Sequence, residues 1–287
     1  MLTLDISHYT NIANTFKEKY KPNLQHSIEE KQSELGELYT LLRDSHLDKL
    51  LLYTPNQQFK LIRILLSKYP CLKDKKSKEI KALKYIFIEN GYKGIDKKEF
   101  YDNLGINSCI YCNRNYIFNL YANGHIKGQL DHFYDKATYP FLAMSFYNLI
   151  PSCESCNRVK GTYNTYTNKS INPYLRKEKK LFNIQFTAID NMKYKLQNDD
   201  LLEKLLIEET YNQGHTDIVN DMYEKFYQEE TKEHFKMLKK EFENLHIQEE
   251  DIHRYLTCGY YHKENFHKRT FSKLIKDISQ ELNLIQH

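Results

Sequence analysis

The chain has 287 residues, enough for one large domain or two modest ones with proper cores. Its formal net charge of +4 is too small to indicate nucleic-acid binding by itself. There is no run of about 18 uncharged apolar residues, and the start, Met1-Leu2-Thr3-Leu4-Asp5, is not a basic segment leading into an apolar one. Neither a transmembrane helix nor a secretory signal is therefore expected; a soluble cytoplasmic protein is.

Residues 1–105 read as helical. Ser27 followed by Glu30 is a capping-box pattern, and Leu35, Leu38, Leu41 and Leu42 recur at helical spacing. Thr54-Pro55 predicts a cap with proline at the first helical position, ahead of Phe59, Ile62, Leu65 and Leu66. The lysine-rich stretch from Lys73 to Lys78 leads into a helix through Leu83, Ile86 and Phe87, stopped at Asn90-Gly91. Asp96 and Glu99 predict a short helix ending near Leu104-Gly105.

From Ile106 the texture changes. Tyr116 to Tyr121 reads as a strand and Asn123-Gly124 as a two-residue hairpin turn. The return strand runs from His125 towards Leu130 and delivers Asp131-His132 near its end. A loop from Tyr134 to Tyr147 follows, then Asn148-Leu-Ile-Pro-Ser, and a short helix opens at Asn157 and stops at Gly161. Further on, Phe182 to Ile189 and Tyr194 to Leu196 flank a turn at Asp190-Asn191, and amphipathic helices occupy the rest, with a boundary at Gly214 and Thr216. Residues 1–105 and 106–170 carry the small positive excess: 18 Lys/Arg against 14 Asp/Glu, then 6 against 3.

Four of the six cysteines form two C-x-x-C pairs, Cys109/Cys112 and Cys153/Cys156. Without a signal peptide such pairs read as metal ligation before disulfide bonding. The two-residue gap lets both thiolates of a pair reach one tetrahedral ion, and four thiolates close a structural zinc site. The alternative is four incidental buried cysteines. A second metal site from His253, Cys258, His262 and His267 is not expected, because their spacing matches no ligand pattern. Closing both pairs on one ion also brings three polar groups towards it: Asp131-His132 at a strand end, Asn148 before the second pair, and Asn157 directly after it.

The ordered combination Cys109-x-x-Cys112, Leu130-Asp131-His132-Phe133, Tyr139-Pro140 and Asn148-Leu-Ile-Pro-Ser-Cys153-x-x-Cys156-Asn157-x-x-Lys160-Gly161 resembles the HNH endonuclease superfamily in its zinc-bearing form. The resemblance covers roughly residues 106–165. It implies a ββα-metal core with His132 as general base and Asn148 orienting the catalytic loop. Asp131 and Asn157 would hold a catalytic divalent ion, Mg²⁺ or Mn²⁺, for which hard oxygen ligands are suited. Arg158 and Lys160, at the start of the following helix, are candidate phosphate contacts. Asp135 reads as a solvated loop carboxylate.

The fold expected is α+β: a small HNH core (106–170) with a Cys₄ zinc site, between helical regions 1–105 and 171–287. The function expected is hydrolysis of nucleic-acid phosphodiesters, DNA favoured over RNA. A looser similarity, to HNH proteins of bacterial anti-phage systems such as Septu and retron-linked effectors, implies a partner ATPase and a defence role. The rivals are a nuclease acting alone, a non-catalytic zinc-stabilised nucleic-acid-binding module, and a scaffolding subunit.

Overall fold

The computed structural model describes residues 1–285 except 44, 121–124, 127, 187–191 and 198. The predicted turns at Asn123-Gly124 and Asp190-Asn191 lie outside the described residues. The chain is mainly helical, with three two-stranded antiparallel sheets among the described residues, so an α+β class is consistent. No described helix is long and apolar enough to cross a membrane.

A 25-residue helix, Ile6–Glu30, opens the chain. Asp5 caps it by accepting from the Ser7 amide at 2.9 Å. The capping box expected at Ser27 is corrected here: Ser27 lies inside this helix, and its hydroxyl donates back to the Asn23 carbonyl. A serine one turn from a helix end makes this i−4 bond as readily as it makes a cap, so the pattern alone does not separate the two. The other helix signals correspond to elements. The Thr54 amide donates to the Gln57 side chain ahead of Pro55–Lys68, and Asp96 accepts from the Glu99 amide ahead of Lys97–Leu104. Gly105, with φ +63°, ends the latter helix in the left-handed conformation that glycine takes without strain.

The strands differ from expectation in their pairing. β1 (Asn119–Leu120) pairs with β2 (His125–Ile126), but only over two residues each. The strand carrying Asp131 and His132, β3 (Gly128–His132), turns away and pairs with β4 (Leu149–Cys153). β3 begins at Gly128, where a Cβ would come within 2.4 Å of the Tyr101 ring and 2.6 Å of the Ile117 carbonyl oxygen. Only glycine permits so close an approach of the backbone. The register places His132 opposite Leu149 and Gly128 opposite Cys153. The helix Glu154–Lys160 follows β4 at once, ended by Gly161 at φ +50°. β5 (Phe182–Phe186) and β6 (Met192–Leu196) form the third sheet.

The flanks clamp this strand–strand–helix unit from two sides within one buried apolar cluster. On one side the rings of Phe16, Phe100 and Phe146 meet pairwise at 5.6–5.7 Å, joining the first helix and Lys97–Leu104 to the loop before β4. On the other side, Tyr211 donates to the Cys112 carbonyl at 2.6 Å. Asn113, at φ +50°, donates to the carbonyls of Phe266 and Arg269 and accepts from the Lys273 amide.

Candidate metal and active site

The four paired cysteines come together. All are buried and unbridged, and their sulfurs lie within 4.8 Å of one another. Cys112 and Cys153 Sγ are 3.9 Å apart, far beyond a disulfide and close to the edge of about 3.8 Å that Zn–S bonds of about 2.3 Å give a tetrahedron. The residues around them suit thiolate rather than thiol. The Arg114 amide donates to Cys112 Sγ at 3.4 Å and the Asn115 side chain to Cys153 Sγ at 3.3 Å. Burial, then the neighbouring thiols of Cys112 and Cys153, push the Cys109 thiol well up, so a compensating cation is what such a cluster needs. The cluster fits a structural zinc ion.

The same fold draws the candidate catalytic residues near this cluster. Along the helix Glu154–Lys160, Asn157 and Lys160 are one turn apart; along β3, Gln129 and Asp131 are two residues apart and share a face. The two spacings match. Asn157 donates to the Gln129 side-chain oxygen, while Lys160 Nζ lies 3.1 and 2.9 Å from the two oxygens of Asp131. Lys160 also donates to the His132 carbonyl at 2.7 Å. It thus donates to Asp131 Oδ1 and the His132 carbonyl and ion-pairs with Oδ2, and at 1% exposure it does not reach solvent. Lys160, a candidate phosphate contact by its place in the sequence, lies instead inside, under the strand. Arg158, the other candidate, is exposed and ion-paired with Glu154.

Asp131 has a second partner, one that the sequence pattern does not reveal. Tyr111, between the two cysteines of the first pair, is fully buried and donates to Asp131 Oδ2 at 2.5 Å. Burial holds the Asp131 carboxyl above its ordinary range, against the pull of Lys160 and Tyr111. Burial likewise keeps the Tyr111 phenol protonated, well above its ordinary value.

His132 takes different partners. Its Nε2 lies 3.0 Å from the Ala143 carbonyl, which can only accept. The neutral ring therefore carries its proton on Nε2 and leaves Nδ1 as the basic nitrogen. Burial, then the charge of Lys136, pushes its pKa well below the ordinary value, so the ring is neutral near pH 7. Asn148, completely buried, holds the loop that supplies this carbonyl. Its side chain accepts from the Tyr134 amide at 2.7 Å and donates to the carbonyls of Tyr134 (3.1 Å) and Leu142 (3.0 Å). Asn148 thus holds the peptide next to the one whose carbonyl orients His132. Asp135 caps its own turn by accepting from Ala137, Thr138 and the Thr138 hydroxyl.

Asp131 and Asn157, the pair expected to hold a divalent ion, do not fit one in this arrangement. The only carboxylate of the pair is already matched by a buried ammonium, and a second cation beside it would meet no spare negative charge. Of the C-terminal histidines, His253 is buried between the Gly259 carbonyl and the Ser279 hydroxyl, while Cys258 is exposed. Sequence reading also missed Tyr92, whose ring meets that of His132 edge-on at 4.4 Å. Tyr92 lies in the N-terminal region, and nothing in the spacing of residues 106–165 points to it.

No family model matches the chain, and no solved structure matches it. A short segment is similar to the Septu protein PtuB of Bacillus thuringiensis, 44% identical over 45 residues. That segment spans 16% of this chain and 18% of the relative. The similarity is thus to part of a Septu protein; separately, this chain holds a four-cysteine cluster able to bind zinc.

Proposed function

We propose that the chain is an HNH-type nuclease that hydrolyses nucleic-acid phosphodiesters, DNA rather than RNA, with His132 as general base. The observation that carries this is the setting of His132: a neutral imidazole whose Nε2–H is committed to Ala143, leaving Nδ1 to take a proton from water. Support also comes from the order of elements, two antiparallel strands and a helix beside a Cys₄ cluster, in the sequence that the HNH motif implies. In this reading residues 106–170 are the nuclease module and the helical regions 1–105 and 171–287 hold it. Asn148 positions the loop around His132. Zinc is structural: when bound to Cys109, Cys112, Cys153 and Cys156 it ties the start of the module to the junction of β4 and the helix.

The resemblance also implies Mg²⁺ or Mn²⁺ on Asp131 and Asn157. With Lys160 on Asp131 that site does not fit an ion. The similarity to a Septu protein supports an effector role in bacterial anti-phage defence; a cytoplasmic location and a separate ATPase partner are part of the same proposal. Cleavage by such an enzyme leaves 5′-phosphate and 3′-hydroxyl ends, so nicks made in a plasmid should be sealed directly by DNA ligase. Nicks that ligase cannot seal would contradict the assignment.

One observation favours a second reading, a zinc-stabilised nucleic-acid-binding or scaffolding subunit without catalysis. It is the closure of both Asp131 oxygens by Lys160 and Tyr111. Nicking activity that depends on His132 would dismiss it.

A further inference from the structure

Two ammonium groups stand over one ring beside His132. Lys136 Nζ lies 4.4 Å from the centre of the Tyr92 ring and Lys97 Nζ 5.8 Å from it. The ring itself touches His132 edge-on at 4.4 Å, and its hydroxyl is fixed by donation to the Leu130 carbonyl at 2.9 Å. Both lysines are half-buried. Among the described residues neither makes an ion pair with a carboxylate. The carboxylates that act on Lys136 are Asp131 and Asp135, and both are held by other partners. Tyr92 offers some cation–π compensation, but two like charges sharing one ring repel. Such a pair is stabilised by an anion, and this one lies against the imidazole that would act on an attacking water.

We infer that Lys136 and Lys97, set over Tyr92, form the seat for the phosphodiester group of a nucleic-acid strand that His132 acts on. The inference rests on the nuclease reading for the role of His132, but the seat is a binding site and is tested as one. It assigns the N-terminal region a direct part in the site, because Tyr92 and Lys97 come from residues 92–97 while Lys136 comes from the loop after β3. The ligand is an anion recognised by charge, so the seat adds affinity without sequence preference.

The test is equilibrium binding of a fluorescent DNA duplex by anisotropy over a range of salt, in a His132→Ala background so that cleavage does not intrude. Lys97→Ala with Lys136→Ala should weaken binding by roughly tenfold and lower the slope of log K against log salt by about two. Lys97→Ala with Lys136→Arg, which keeps one of the two charges, should recover about one unit of slope over the double alanine variant. Lys93→Ala, an exposed lysine paired with Glu89, should leave both quantities unchanged. An unaltered melting temperature for the double variant shows that the loss is one of contact. Unchanged affinity and slope in the double variant would overturn the seat, and so would failure of the parent to bind DNA. If the wild-type chain nicks plasmid in a His132-dependent way while the double variant binds unaltered, the seat alone fails and the nuclease reading stands.

Discussion

Tyr111 donates a 2.5 Å hydrogen bond to Asp131, and this one contact ties the first cysteine pair to the candidate catalytic strand. The tyrosine lies between Cys109 and Cys112, so an ion that fixes these two sulfurs also fixes the phenol and, through it, the carboxylate. Tyr111→Phe removes the donor and leaves a buried acceptor one partner short. A loss of about 1–3 kcal/mol in urea unfolding is expected, with zinc content unchanged. Loss of zinc from this variant would mean that the phenol supports the metal site itself.

Lys160 and Asp131 are a buried ion pair, 1% and 4% exposed. Lys160→Met leaves the carboxylate buried beside Tyr111 alone, and a loss of about 3–5 kcal/mol is expected from urea unfolding. Adding Asp131→Asn should recover part of it, since the uncompensated charge goes with the carboxylate. If Lys160→Met unfolds like wild type, the pair is not closed in solution and Asp131 is free to bind a cation.

Zinc analysis of the purified chain should give close to one ion per molecule. Cys109→Ser or Cys156→Ser should abolish it and destabilise the fold, because both cysteine pairs anchor buried backbone. Cys258→Ser, at an exposed cysteine, should change neither. Full stability in the presence of a strong chelator would remove the metal from the account.

Stability should fall on acidification through the range where His253 and His267 differ between states. Burial pushes both down to about 4, against about 6.5 in the unfolded chain. Between those values the unfolded chain binds more protons, so stability falls as pH drops from about 6.5 towards about 4. The cost at about pH 5 is on the order of 1–2 kcal/mol for each histidine. A His253→Gln, His267→Gln protein should lose markedly less melting temperature between about pH 7 and about pH 5. An equal acid-induced drop in both proteins would place the sensitivity elsewhere.

Much of this was legible in the sequence, for reasons that differ by residue. The cysteine pairs announce themselves because thiolate ligation fixes a short spacing. Thr54-Pro55 and Asp96 mark helix starts because capping is local chemistry. Ser27 misled because a serine near a helix end bonds backwards as readily as it caps. The partner of the Asp131-His132 strand was not legible, since pairing with Leu149–Cys153 depends on a close approach of Tyr101 to Gly128 that no local pattern encodes. Lys160 reads as surface charge after a helix start, and only the match of helix and strand spacings turns it inward. Tyr92 and Asn113 act across long stretches of chain, which periodicity cannot reveal.

The most direct test of the central claim is plasmid nicking by the purified chain, supplied with Mg²⁺ or Mn²⁺, against a His132→Ala variant of equal stability. Nicking by the wild type is expected, with a loss of about 100-fold or more in the variant, the share a general base supplies. Equal rates in the two proteins, or equal inertness across metals, substrates and any ATPase partner, would contradict it.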